Sequence, residues 1–150
     1  MSVTSEVEDP RWDVLPDAEG TAARCVASAL GDDERSVNVL FTSDAEMRIL
    51  NRDFRGKDAA TNVLSFLAAP MATPDGSEPH LGDIALAFEI IEREAKEQGK
   101  PLLHHVSHLI VHGTLHLLGY DHDSEEAADA MEQRERNILA TLGIPDPYLT

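Results

Sequence analysis

Cysteine is nearly absent from this sequence, basic residues are scarce, and long apolar runs are missing. Among 150 residues there is one cysteine, Cys25. It cannot close a disulfide within the chain, so a reducing compartment is the simple expectation. Twelve Lys and Arg stand against 28 Asp and Glu, a formal charge of −16. That deficit argues against loose, sequence-independent nucleic-acid binding, which is driven by neutralising phosphates with Lys and Arg. No DNA partner is expected. Met1 to Pro16 is acidic and carries no apolar core, so it reads as neither a secretory signal nor a membrane anchor. The most apolar stretch, Leu102 to Leu118, is interrupted by five histidines and makes a poor transmembrane segment. A cytoplasmic location without a membrane partner follows as the expectation. There is no repeat and no long linker, so residues 1–150 are read as one domain.

What is present is 42% hydrophobic content, typical of a soluble globular chain, in recognisable periodic segments. Asp17 to Leu30 reads as a helix with Gly31 as its stop. Ser36 to Thr42 (SVNVLFT) reads as a strand. Ser43 is placed to cap a helix running to about Phe54, with Ala45, Ile49 and Leu50 on its inner face. Val63 to Leu67 is a short buried strand. Ala68 to Leu81 holds Pro70, Pro74, Gly76 and Pro79 and reads as a loop. Asp83 to Phe88 is a strand and Glu89 to Gln98 a charged helix ended by Gly99. His104 to Leu118 is a largely buried helix ended by Gly119. Asp123 and Glu126 resemble a capping box for a last helix reaching about Leu142. The expected fold is α+β, mixed α/β layers: a small sheet of about four strands packed with about five helices, and a metal site at the end of a buried helix.

The chemistry-bearing feature is histidine. Six of the seven histidines lie between His104 and His122. His112 and His116 are one helical turn apart, with Cβ atoms ~5–6 Å apart, so two imidazoles can converge on one ion. Gly119 breaks the helix, and its tolerance of left-handed backbone lets His122 fold back toward the same ion. The pattern is HGTLHLLGYDH. His108 also lies four residues from His112. The outer pair, His108 and His116, are ~12 Å apart along the axis and cannot share an ion. Only the 112/116 pair has the glycine turn and a third histidine close behind, so His108 is read as a site-facing residue behind the ligands. His104 and His105 are read as helix-start or surface residues. The spacing matches a metalloprotease zinc motif, except that Gly113 occupies the position of that motif's general base, Glu. Asp121 is read either as a base or orienter beside the last ligand, or as a turn residue. Three ligands leave one coordination position open, the mark of a catalytic zinc.

At HGTLHLLGYDH the chain resembles the YbeY family of bacterial endoribonucleases and ribosomal RNA maturation factors. NRDFRGKDAATNVLSF (Asn51 to Phe66), LGDIAL (Leu81 to Leu86) and SHLIVHG, which leads into the histidine motif, resemble that family's other blocks in the same order. The resemblance implies one Zn2+-type ion per chain on His112, His116 and His122, and a functional arginine matching Arg55. It implies a zinc-dependent, single-strand-specific endoribonuclease, a hydrolase, acting in 16S ribosomal RNA 3′-end maturation and ribosome quality control. Single-stranded ribosomal RNA and the ribosome or its proteins are the implied partners. The alternative is a non-catalytic, metal-stabilised ribosome assembly factor. One departure is Asn62, where the family usually has Asp. Arg48, Arg52, Arg55 and Lys57 fall within ten positions, which by itself reads as a solvated helix face; the resemblance gives the cluster a purpose as a phosphate grip at one cleft, with Arg55 bidentate and Lys57 adding charge.

Overall fold

Alternating apolar residues in two inner strands organise the molecule. A computed structural model describes residues 3–68 and 80–148. The order is β1 (Val3–Val7), a 3-10 helix (Pro10–Val14), α1 (Ala18–Leu30), β2 (Ser36–Thr42), α2 (Asp44–Arg55), β3 (Val63–Leu67), β4 (His80–Ala87), α3 (Phe88–Glu97), α4 (Leu102–Leu117) and α5 (Glu125–Thr141). The four strands form one mixed sheet in the order β1-β2-β4-β3. β1 and β4 pair parallel to β2, and β3 runs antiparallel to β4. This is the α+β architecture the sequence leads one to expect.

Period-2 geometry sends successive side chains to opposite faces. Val37, Val39 and Phe41 of β2, with Ile84 and Leu86 of β4, enter the main core. There they meet Val26 of α1, Ile110 and Leu115 of α4, and Leu139 of α5. Ala85 and Ala87 point the other way, into a smaller cluster with Met47 of α2 and Leu64 of β3. β4 is buried on both faces, which is why it reads as a continuous apolar run. Trp12 plugs one end of the core. Its ring packs edge-on against Phe41 and Phe88, and its indole N–H donates to the Thr42 carbonyl at 2.8 Å. That bond satisfies the polar tip of an otherwise buried side chain.

Several local expectations are corrected. Residues 1–16 hold β1, an edge strand (VTSEV) whose face is mostly exposed and so lacks an apolar signature. The inner face of α2 is Met47, Leu50 and Asn51, whereas Ala45 and Ile49 are exposed. The cap of α5 is Ser124, whose hydroxyl accepts the Ala127 N–H, instead of Asp123. His80 and Leu81 belong to β4 and not to the preceding loop. The rest of that loop reading, residues 69–79, lies outside the described residues.

The end of α4 sets up the site. The Tyr120 N–H bonds to the Leu115 carbonyl and the Gly119 N–H to the His116 carbonyl, a complete Schellman motif. Gly119 takes φ 101°, backbone that side-chain-bearing residues rarely adopt. The chain therefore turns back over the last turn of α4 within a few residues, carrying His122 with it.

Candidate metal centre and its cleft

His112 and His116 project from one face of α4, and their Nε2 atoms are 3.1 Å apart. Two nitrogens bound to one tetrahedral ion at ~2.0–2.1 Å would be roughly 3.3 Å apart, so the pair is already near ligand spacing. The returning loop brings the His122 ring to 4.8 Å from His116 and 5.5 Å from His112, centroid to centroid. One nitrogen from each of the three rings lies within 4.8 Å of the others. The donors are three imidazoles with no carboxylate or thiolate among them. Cys25 is buried on α1 beside Ser107 and belongs to no such group among the described residues. Burial lowers the His116 pKa first, and the neighbouring His112 and His122 rings lower it further. A neutral ring keeps the lone pair that ligation requires.

Glu135 of α5, fully buried, stands behind this cluster. One of its oxygens meets His112 Nδ1 at 2.6 Å and the other meets His108 Nε2 at 3.0 Å. The Tyr148 hydroxyl also donates to it. Burial alone would raise the Glu135 pKa. The hydrogen bonds from His108, His112 and Tyr148 outweigh burial and hold it down at about 2. The ionised carboxylate fixes Nδ1 of His112 as the protonated nitrogen and leaves Nε2 facing His116. His108, His112 and Glu135 are themselves close enough to resemble a cation site. These hydrogen bonds account for that closeness, with His108 sitting behind the ligands.

Sequence reasoning did not find Glu135. The available signal is a carboxylate in the buried stripe Met131, Glu135, Ile138 and Leu139 of α5. His105, expected at a helix start or on the surface, is buried, and its Nε2 lies 2.9 Å from Glu94 Oε1. The same Glu94 oxygen accepts from Asn62 Nδ2 at 3.0 Å, while Asn62 Oδ1 accepts the Val63 N–H. An ionised Asp at position 62 has no proton to donate to Glu94, whereas Asn serves both partners.

The three histidines open onto a cleft of about 470 Å³ that Thr61, Asn62, Ser65 and Arg55 also line. Arg55 is the last residue of α2. Arg48 is bound to Asp58 and Arg52 to Asp53, but Arg55 has no ion-pair partner among the described residues. Its guanidinium is therefore available to a ligand in the cleft. Lys57 is exposed nearby and is not part of the lining. Asp121 is exposed too, and its carboxylate accepts the Asp123 N–H at 3.2 Å, the bond of a turn residue.

Gly113 has a packing explanation. Its carbonyl accepts from Ser65 Oγ at 3.0 Å. A Cβ placed there would sit 3.0 Å from that Oγ and 3.1 Å from Ile84 Cγ2. Both contacts are tighter than ordinary van der Waals packing, so the close approach of helix and sheet disfavours a glutamate at this position.

An α+β protein that gathers three imidazoles at an open cleft is thus defined by its own geometry. Comparison with known proteins agrees: residues 14–143 match the family Endoribonuclease YbeY. An Endoribonuclease YbeY of Chelativorans sp. (strain BNC1) is 53% identical over 143 residues, covering 93% of this chain and 86% of that protein. One of Rhodopseudomonas palustris (strain ATCC BAA-98 / CGA009) is 51% identical over 148 residues, covering 95% and 78%. A solution structure of a Thermotoga maritima protein superposes with a TM-score of 0.55 at 26% identity, covering 99% of both chains. The chain belongs to the YbeY family.

Proposed function

We propose that this protein is a zinc-dependent endoribonuclease that cleaves single-stranded ribosomal RNA in 16S 3′-end maturation and ribosome quality control, with residues 1–150 acting as one domain. The observation that carries the reading is the convergence of His112, His116 and His122 on a cleft that Arg55 also lines, with no ion-pair partner for Arg55 among the described residues. Family membership supports the reaction class, since the relatives carry the name endoribonuclease. Imidazole donors suit Zn2+, as they also suit Cu, Fe and Ni ions.

Hydrolysis of a phosphodiester forms one P–O bond to a water oxygen, breaks one bond to a sugar oxygen, and builds negative charge on the phosphoryl oxygens. His112, His116 and His122 would hold an ion that, when bound, would supply Lewis acidity and lower the pKa of water. Arg55 donates two parallel N–H bonds to the phosphate and stabilises the same developing charge. Glu135 keeps His112 in the tautomer that leaves Nε2 for ligation. Asp121 is given the turn that delivers His122, because its carboxylate is engaged there and lies outside the cleft lining. Lys57 adds only longer-range attraction for the strand.

The test is incubation of purified protein, zinc-loaded and chelator-stripped, with defined single-stranded and duplex RNA. Cleavage of the single strand by the loaded sample alone is expected. A loaded, folded protein that binds ribosomal RNA without cutting it would instead support the assembly-factor reading, to which the acidic surface lends itself through attraction to basic ribosomal proteins.

A further inference from the structure

Beside the catalytic cleft lies a second hollow of about 690 Å³ on the face of the sheet that carries α2, and Arg55, Ser65 and Leu67 line both. Its near wall is aromatic. Phe54, next to Arg55 in the last turn of α2, is 70% exposed. Phe66 of β3 meets it edge-on, with centroids 5.2 Å apart at 60°, and holds the Phe54 ring in place without covering it. Single exposed apolar residues are ordinary on protein surfaces. Two touching aromatic rings beside a cleft lined by a guanidinium with no ion-pair partner among the described residues are the kind of patch that marks a ligand surface.

The charges around the hollow restrict what can enter. Glu6 and Glu8 line it at the β1 edge of the sheet, and Asp83 stands directly across the β3–β4 pair from Phe66. They repel a phosphodiester backbone and leave a nucleobase, which is uncharged and flat, as the part of an RNA strand that fits. We infer that Phe54, braced by Phe66, is a stacking platform for an unpaired base of the strand whose phosphate lies on Arg55. The inference rests on the endoribonuclease reading above and adds to it a reason for single-strand preference. In a duplex the base is already stacked and paired, and its face is not available to Phe54. Stacking on an aromatic ring is sequence-tolerant because every base has a π-face, so the platform selects unpaired over paired RNA and not one sequence over another.

The test compares the zinc-loaded parent protein with Phe54→Ala and Phe54→Trp. Each is given single-stranded RNAs identical except for one abasic residue moved along the strand. Melting temperature and bound zinc should be the same in all three, since Phe54 is exposed and is not among the residues lining the cleft of the three histidines. Phe54→Ala should lower kcat/KM by about tenfold or more, mainly through KM, and Phe54→Trp should restore it. One abasic position should reproduce that loss in the parent protein and add nothing further in Phe54→Ala. Equal kcat/KM for parent and Phe54→Ala, or fully additive losses, would overturn the platform while leaving the endoribonuclease reading intact. No cleavage by the zinc-loaded parent would overturn both. Loss of binding to a Lys/Arg-rich peptide in Phe54→Ala, with RNA cleavage unchanged, would assign the hollow to a basic protein and overturn the inference.

Discussion

Glu135 and Arg55 show how burial decides what a charged residue does. Glu135 is fully buried, and only its three hydrogen-bond partners make its charge tolerable. Glu135→Gln should keep the fold but weaken metal binding by ~10–100-fold, as read by competition with a chelator. Its pH signature has a definite sign. The folded pKa, about 2, lies below the ordinary 4.5, so the ionised carboxylate stabilises the protein fully above about 4.5. That contribution is lost as pH falls toward about 2. In metal-free protein, the difference in unfolding free energy between parent and Glu135→Gln should therefore shrink across this window. A difference independent of pH would contradict an ionised Glu135. Arg55 is the opposite case, exposed and without an ion-pair partner among the described residues. Arg55→Ala should leave melting temperature and zinc content unchanged and slow cleavage by ~10²–10³. Arg55→Lys should recover only part of that rate, because an ammonium cannot make the paired contact. A lower melting temperature with unchanged cleavage per folded molecule would make Arg55 structural.

Among the elements, α4 carries the most constraint, because it supplies two of the clustered histidines and also packs closely on the sheet. Gly113→Ala gains ~1 kcal/mol of helix propensity. Against that, its Cβ meets Ser65 Oγ at 3.0 Å and Ile84 Cγ2 at 3.1 Å. Ile84 is fully buried and Ser65 is tied to the Gly113 carbonyl, so neither yields easily. Overpacking of this kind costs ~1–3 kcal/mol, and the clash should win. Thermal unfolding of Gly113→Ala should therefore come several degrees lower, and Gly113→Glu should be worse. A variant as stable as the parent would show that the helix can back away from β3.

Helix positions were legible where an apolar stripe met a cap or a glycine, as in α1 and α4. The histidine cluster was legible because helical spacing and a glycine turn are local facts. β1 was not, since an edge strand that buries little needs no apolar signature. Met47 and Asn51 replaced Ala45 and Ile49 on the inner face of α2 because the sheet, not the helix alone, chooses which face is covered. Glu135, Glu94 and His105 form contacts between helices far apart in sequence, and local spacing carries no trace of such pairings. That Arg55 has no ion-pair partner among the described residues was equally hidden, because Arg48 and Arg52 take Asp58 and Asp53.

For the whole molecule, the net charge of −16 sets how RNA is held. Arg11, Arg35, Arg48, Arg52 and Arg136 are each engaged by a carboxylate, so few cations are left for phosphates. Single strands lose affinity with a slope of ~0.7 in log[salt] per phosphate neutralised. The RNA-binding slope should then be shallow, between zero and about −2. A slope near −5 would mean a broad basic face that the described residues do not display. No helix among the described residues is long and apolar enough to cross a membrane.

The central claim is the assignment of one ion to His112, His116 and His122, and zinc per chain tests it most directly. It should be measured by plasma mass spectrometry on exhaustively dialysed parent protein and on His108→Ala, His112→Ala, His116→Ala and His122→Ala. The result expected is one zinc per chain in the parent and in His108→Ala, and its loss in the other three. Equal zinc in all five proteins, or loss in His108→Ala with retention in His122→Ala, would contradict the assignment.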